Sequence, residues 1–377
     1  MKIAYLLGSL GRGGAETLLL DVFKNASKAN FEFIGIYRRR RTNSSEEKFY
    51  TLTKDFYDTE QKFVCLSPKF PFDFVYLYKL RKFLKKEQIS IVHAQQSLDA
   101  FYAWLACLFT NIKVVTTFHG YDNLDLNKKS KLLAFIAKRT NRNFFVSQSQ
   151  KDFYIKKYGL NPAKQTVVYN GISFDKFGKD CEVPDFLKKS NSPMARLKMA
   201  MVGNFGRVRD QSTLCKFLKL LHDKGIDFDF YFVGSSIPAT PWLFDDCVQY
   251  CNENGLNDCV HFLGGRNDVP AILKNIDTFL YSTDHDTFGI AVIEAIAVGI
   301  PVFVNDWGVM TEITNNGELA TLYKTKDEQD LFEKFMLFLQ KRNEYIHKAK
   351  ENSHIVRVKF SIEKHLQSLK KEYNSVC

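Results

Sequence analysis

Short β-rich runs alternate with helical patterns along the whole chain, in two successive series. The first series reads KIAYLL, FEFIGIY, KFVCL, ISIVHA, KVVTTF, NFFVS and TVVYN, separated by helical stretches such as AETLLLDVFKNASK and LDAFYAWLACLF. The second reads LKMAMVG, FDFYFVG, CVHFLG, TFLYS and IPVFVN, each followed by a helix or a helix start. Strands that alternate with helices build parallel sheets through βαβ crossovers. The expected fold is therefore α/β, with two doubly wound domains of similar size. Residues 1–180 are expected to form the first and 196–358 the second. CEVPDFLKKSNS lacks periodicity, so 181–195 reads as the linker. FSIEKHLQSLKKEY is an amphipathic helix opened by Ser361, and 359–377 is expected to pack back on the first domain. In such sheets ligands bind beyond the carboxyl ends of the strands, so the cleft between the domains is the expected active site.

A length of 377 residues agrees with two domains, and 45% hydrophobic with 25% charged residues excludes disordered and fibrous chains. The longest apolar run, Ala100–Phe109, is too short to cross a bilayer. MKIAYLL turns at once into GSLGRGG, unlike a signal peptide, so a cytoplasmic protein is expected. The eight cysteines are scattered through apolar surroundings. Cys247, Cys251, Cys259 and His261 could be read as zinc ligands, but they lack paired C-x-x-C spacing and suit a buried helix face and strand better.

The charge is unevenly placed. Residues 1–190 hold 32 Lys+Arg against 18 Asp+Glu, a balance of +14, whereas 191–377 hold 21 against 24. The first half should be drawn to something anionic, and no nucleic-acid motif accompanies it. PFDFVYLYKLRKFLKKEQ, Pro71–Gln88, interleaves aromatics with lysines, and RRRR at Arg38–Arg41 adds to the field. Such a helix can lie on an anionic membrane or pack its apolar face on the sheet with its lysines in water.

Three segments carry chemistry. GSLGRGGAE, Gly8–Glu16, lies between the opening strand and a helix, where glycines let backbone N–H groups approach an anion. Its spacing departs from the dinucleotide fingerprint, since Glu16 stands where a third glycine belongs. VGNFGRVRDQSTL, Val202–Leu214, places Arg207 and Arg209 after a strand, suited to a leaving diphosphate. YSTDHDTFGIAVIEAIAVGIPV, Tyr281–Val302, puts Asp284 and Asp286 in a loop and Glu294 inside an apolar helical run. A buried carboxylate needs a partner, and either sugar hydroxyls or an unseen base would serve. The amides of 287–290 could hold phosphate oxygens. Asp284-His285-Asp286 also spells a metal-binding D-x-D, although nearby arginines can supply the counter-charge instead.

Asp286…Glu294 followed by EAIAVGIPV resembles the donor-binding signature of glycosyltransferase family 4, retaining enzymes of the GT-B fold. GSLGRGGAE, TTFHGYD (Thr116–Asp122), VSQSQKDFY, VYNGISFDKF and GNFGRVRDQ fall in the family's order and cover almost the whole chain. Three positions depart from the family: Asp286 stands where Glu is usual, Asn204 where Arg is common, and Arg209 where Lys is usual, with Arg207 able to cover for the missing arginine. The resemblance implies two Rossmann-like domains with an interdomain cleft and a C-terminal crossover helix. It implies transfer of a hexose or related sugar, with retention, from a UDP- or GDP-linked donor. It gives catalytic roles to His119, Arg207, Arg209, Asp286 and Glu294. Donor contacts fall to Gly13, Gly14, Asn204, Thr287, Phe288, Gly289 and Ile290, and acceptor contacts to Gly11, Arg12, Glu16 and Tyr121. No metal or other cofactor is implied. The acceptor would be a glycan or a lipid-linked species met at the inner face of the cell membrane, in bacterial capsule, O-antigen or exopolysaccharide synthesis. Three alternatives stay open: an NADP-dependent oxidoreductase using the first glycine loop, a non-catalytic nucleotide-sugar or glycan binder, and a sugar-nucleotide epimerase.

Overall fold

The computed structural model describes residues 1–11, 14–29, 31–39, 52–70, 72–121, 128–178, 182–188 and 196–377. Strands β1 (Lys2–Ser9), β2 (Glu32–Arg39), β3 (Lys62–Cys65), β4 (Ile91–Ala94), β5 (Lys113–Phe118), β6 (Arg142–Phe145) and β7 (Gln165–Val167) form one parallel sheet, ordered β3-β2-β1-β4-β5-β6-β7. Strands β8 (Leu197–Val202), β9 (Phe228–Val233), β10 (Val260–Phe262), β11 (Thr278–Tyr281), β12 (Val302–Asn305) and β13 (Thr321–Tyr323) form another, ordered β10-β9-β8-β11-β12-β13. The order reverses beside the first strand of each series, between β1 and β4 and between β8 and β11. These reversals are the switch points of doubly wound sheets, where ligands bind.

Met1–Ile172 with Phe360–Cys377 make one compact unit, and Ser173–Lys359 make the other. The division precedes the expected linker, of which Cys181 and 189–195 lie outside the described residues. The turn Phe174–Phe177 belongs to the second unit because long-range contacts fasten it there. Lys176 bonds Glu294, Lys274 Nζ donates to the Gly178 carbonyl at 2.6 Å, and Arg357 lies 5.3 Å from the Phe174 ring.

In the first unit both sheet faces are covered. Tyr5, Phe23, Phe33 and Phe56 pack on one side, and Leu80, Leu84, Val92 and Ala103 on the other. Such two-sided burial explains why these strands read as nearly continuous apolar runs. The last helix, Ile362–Val376, is capped by Ser361, whose hydroxyl accepts from Lys364 N at 3.1 Å. It buries Leu366, Leu369 and Tyr373 in the cluster of Tyr5 and Phe23. Ile172 N donates to the Phe360 carbonyl and Ile362 N to that of Ile172. Gly171 permits this approach, for a Cβ there would stand 2.5 Å from His365 Cβ and 2.9 Å from Ile362 Cα.

One sequence expectation needs correction. Arg38 is not part of a solvated basic run: it is buried, its Nε donates to the buried Asp99, and its guanidinium lies 5.7 Å from the Tyr102 ring. Arg40 and Arg41 lie outside the described residues. Cys247 and Cys251 face inward on the helix Trp242–Glu253, whereas His261 bonds Asp229 at 3.0 Å. Among the described residues no group of three or more His, Cys, Asp or Glu is arranged to hold a metal ion, and no helix is long and apolar enough to cross a membrane.

Candidate active site

At the switch point of the first sheet, β1 carries Gly8 and runs into the glycine loop; Gly11 is buried, and the helix Gly14–Lys24 begins at an exposed Gly14. Arg12 and Gly13 lie outside the described residues. Glu16 is half-buried in the first turn of that helix. Gln95 follows β4 and is buried, and half-buried His119 follows β5 with Nε2 2.7 Å from Gln95 Oε1. An amide oxygen only accepts, so the imidazole donates from Nε2. Burial, aided by nearby His365, lowers the His119 pKa to about 4, which keeps the ring neutral at neutral pH. Gln95 Nε2 is buried with no hydrogen-bond partner, beside a cavity of about 10 Å³ that Tyr5, His93, Thr117, His119 and His365 also line.

A buried relay lies beneath. His93 Nδ1 is 2.6 Å from the Tyr373 hydroxyl and Nε2 2.7 Å from Thr117 Oγ1, while Tyr373 meets the Tyr5 hydroxyl at 2.9 Å. Burial holds His93 neutral and raises both phenols. The final helix thus supports the strand ends from which His119 projects. The Gly120 carbonyl accepts from Gln150 Nε2 and Tyr154 OH, each at 3.0 Å, and Tyr121 packs edge-on against Phe153.

At the switch point of the second sheet, buried Asp210 ties the loop after β8 to the loop after β11. Its amide donates to the Ser282 carbonyl, and its carboxylate accepts from Ser282 Oγ at 3.0 Å and Thr213 Oγ1 at 2.6 Å. Asn204, on the surface, accepts from Ser235 N at 2.9 Å and so braces the neighbouring loop. Arg207 is exposed, whereas Arg209 Nη1 stands 3.2 Å from Asp286 Oδ2. That oxygen also accepts from the buried Tyr281 hydroxyl at 2.7 Å, and the Arg209 guanidinium lies 5.2 Å from the Tyr281 ring centroid. Arg209 Nε is buried and unpartnered. Asp286 Oδ1 takes the Thr287 amide at 2.9 Å, and Trp307 Nε1 reaches the Asp286 carbonyl at 3.2 Å.

The expected anion site over 287–290 is therefore partly occupied by the protein itself. Thr287 and Phe288 are buried, and the helix Ile290–Val298 starts after Gly289, whose φ of 82° and contact with Met310 exclude a side chain. One turn on, buried Glu294 is 2.5 Å from Lys176 Nζ. The two acids of the D-x-D face different cations. Asp284 pairs with His285 at 2.8 Å and Lys326 at 3.0 Å; although burial opposes its charge, these bonds hold its pKa below the ordinary value.

Family models match both halves: residues 12–176 match Glycosyltransferase Family 4, and 182–355 match Glycosyl transferases group 1. The chain belongs to glycosyltransferase family 4. This sugar transferase is 28% identical to the UDP-Gal:alpha-D-GlcNAc-diphosphoundecaprenol alpha-1,3-galactosyltransferase of Escherichia coli over 240 residues, 61% of each chain. It is 24% identical to the capsular polysaccharide biosynthesis glycosyltransferase CapH of Staphylococcus aureus over 78% of each chain. Its fold matches that of Anabaena Alr3699/HepE in complex with UDP-glucose, with TM-score 0.82 at 17% identity over the full length of both chains. The GT-B fold expected from the sequence is thus present in the transferase, and its relatives include enzymes of capsule and O-antigen synthesis.

Sequence reasoning missed Lys176, Tyr281 and Gln95. Lys176 lay inside the quoted segment VYNGISFDKF, and Tyr281 closes the strand before the acidic loop, so both had a positional signal. Gln95 had none, because its role depends on β4 and β5 being neighbours.

Proposed function

We propose that this transferase moves a hexose or related sugar, with retention, from a UDP- or GDP-linked donor to a glycan or lipid-linked acceptor in bacterial surface-polysaccharide assembly. The observation that carries the reading is the pair of charged clusters beyond β11, Arg209–Asp286–Tyr281 and Glu294–Lys176. Arg209, with Arg207 nearby, would stabilise the departing diphosphate, a contribution of about 3–4 kcal/mol for a well-placed group. Glu294 would accept from the ribose diol and Asp286 from hexose hydroxyls. His119 would meet the sugar, and Gly11, Glu16 and Tyr121 the acceptor. As the sugar–phosphate bond breaks, the leaving phosphate oxygen takes the acceptor's hydroxyl proton, and the new glycosidic bond forms on the face the phosphate vacates.

The E. coli relative is named for a diphosphoundecaprenol-linked sugar, which supports a lipid-linked acceptor here. The charge excess of residues 1–190 supports an approach to the anionic inner face of the cell membrane.

A thermal-shift screen with UDP, GDP, ADP, CMP, NADP and their sugar conjugates, each with and without EDTA, tests the reading. A ligand at a hundred times its dissociation constant stabilises by about 2.7 kcal/mol. Stabilisation by UDP or GDP that survives EDTA and disappears in Glu294→Ala is expected. A response to NADP alone, or strict dependence on metal, would overturn it.

A further inference from the structure

Two residues that line the small cavity beside His119 carry hydrogen-bonding atoms unmatched in opposite senses, and both lie in the first unit. Gln95 Nε2 is a donor, buried and without an acceptor. Such a group is costly to leave unpaired, so its surroundings should hold an acceptor for it. His365, on the last helix, is the complementary case. Its Nδ1 lies 2.6 Å from the Tyr169 carbonyl oxygen, which only accepts, so Nδ1 carries a hydrogen. Burial lowers the His365 pKa to about 4, so the ring is neutral at neutral pH and Nε2 is a bare lone pair. Among the described residues no donor meets that nitrogen.

The cavity measures about 10 Å³, room for a single water molecule. Thr117, whose hydroxyl meets His93 Nε2 at 2.7 Å, lines the same space and offers a third polar contact. Leu18, Leu19 and Val168 supply apolar walls. The site thus combines the volume and the polar partners that a buried water needs.

We propose that Gln95 and His365 hold one buried water between them, and that through it His365 is a positioning residue for His119, fixing the tautomer of that ring from the last helix. A glutamine side chain fits the same space either way round, and its neighbours decide which. With Nε2 committed to the water, Oε1 turns to His119 and accepts from its Nε2 at 2.7 Å. With the amide reversed, the nitrogen would donate to His119 Nε2 and move the imidazole hydrogen to Nδ1. Donation therefore runs one way along the chain of groups: His119 Nε2–H to Gln95, Gln95 to the water, the water to His365 Nε2, and His365 Nδ1–H to the Tyr169 carbonyl. A role in turnover rests on the reading that His119 meets the sugar. The water and the tautomer do not, so the two can fail separately.

The full chain labelled with ¹⁵N-histidine tests the tautomers without substrate. Two-bond ¹⁵N–¹H correlations should show His119 in the Nε2–H form and His365 in the Nδ1–H form. His365→Asn keeps an N–H for the Tyr169 carbonyl but puts no acceptor at the place of Nε2, and should move His119 toward the Nδ1–H form. His365→Gln returns an acceptor there and should restore the Nε2–H form. Measured with the donor that the nucleotide screen identifies, kcat should fall about 10–10²-fold in His365→Asn and recover in His365→Gln. A crystal structure of the wild type, which needs no variant to fold, should show a water oxygen within hydrogen-bond distance of both Gln95 Nε2 and His365 Nε2. A wild-type crystal without that water, a His119 tautomer that is the same in His365→Asn as in the wild type, or equal losses of turnover in the two variants would overturn the proposal; the last would leave His365 as a support of the last helix alone.

Discussion

Lys176 Nζ lies 2.5 Å from the Glu294 carboxylate, and both belong to the second unit although 118 residues separate them. The lysine supplies the partner that the carboxylate needs inside an apolar helix. Removing it as Lys176→Met should cost about 1–3 kcal/mol, because Glu294 is then buried without a donor. If Glu294 binds a ribose diol, UDP should stabilise that variant more than the wild type, since ligand hydroxyls replace the lysine. An equal or smaller shift would separate Glu294 from the nucleotide.

Arg209 and Arg207 sit two residues apart but differ in environment, the first held against Asp286 and Tyr281, the second exposed. Arg209→Ala should lower kcat about 10²–10³-fold with the donor identified by the nucleotide screen. Arg207→Ala should have a much smaller effect. Equal losses would mean that exposure does not sort their roles.

The buried histidines give the first unit an acid limit. His93 is held well below 6.5 by burial, and burial lowers His365 to about 4. Below pH 6.5 the unfolded chain binds protons that the folded chain refuses, at His365 until about pH 4. Stability should therefore be flat above pH 7 and fall between about pH 6.5 and 4, by about 1.4 kcal/mol per pH unit for each histidine. Urea midpoints that stay constant from pH 7 to 5 would contradict this.

The contact between Gln95 and His119 invites a charge test. Gln95→Glu places a carboxylate 2.7 Å from the ring and should raise the His119 pKa from about 4 toward neutrality. Turnover should then gain an ionisation near neutral pH that the wild type lacks. Imidazole ¹⁵N shifts that do not move with pH near neutrality would show that the glutamate leaves His119 unchanged.

Gly171→Ala should weaken the seat of the last helix. The added methyl would meet the Ile362 backbone, a clash worth about 1–3 kcal/mol. Protease sensitivity around Phe360 should rise. An unchanged digestion pattern would count against the glycine's packing role.

Much of this was legible in the residue order. The alternation of strands and helices determines parallel sheets, and Tyr76, Leu80 and Leu84 disclose one buried helix face. The charge of Glu294 within AVIEAIAV signalled a missing partner, but Lys176 becomes that partner only when a distant turn docks. The arginine run reads as adding to the basic field of the first half. Arg38 turns inward on β2 toward Asp99, 61 residues later, and no local pattern reveals it. The division at Ile172 was equally hidden, since Phe174–Phe177 joins the second unit through side chains on other helices.

The pairing of Ile172 with Ser361 has a topological consequence. Residues 173–359 leave and re-enter the first unit at adjacent points, so the second unit is an insertion into the first. A gene with 173–359 replaced by a short glycine-serine bridge should therefore encode a self-sufficient protein that keeps the His93–Tyr373 contact. Trimming the carboxyl terminus of the natural chain should unravel its beginning and spare its middle.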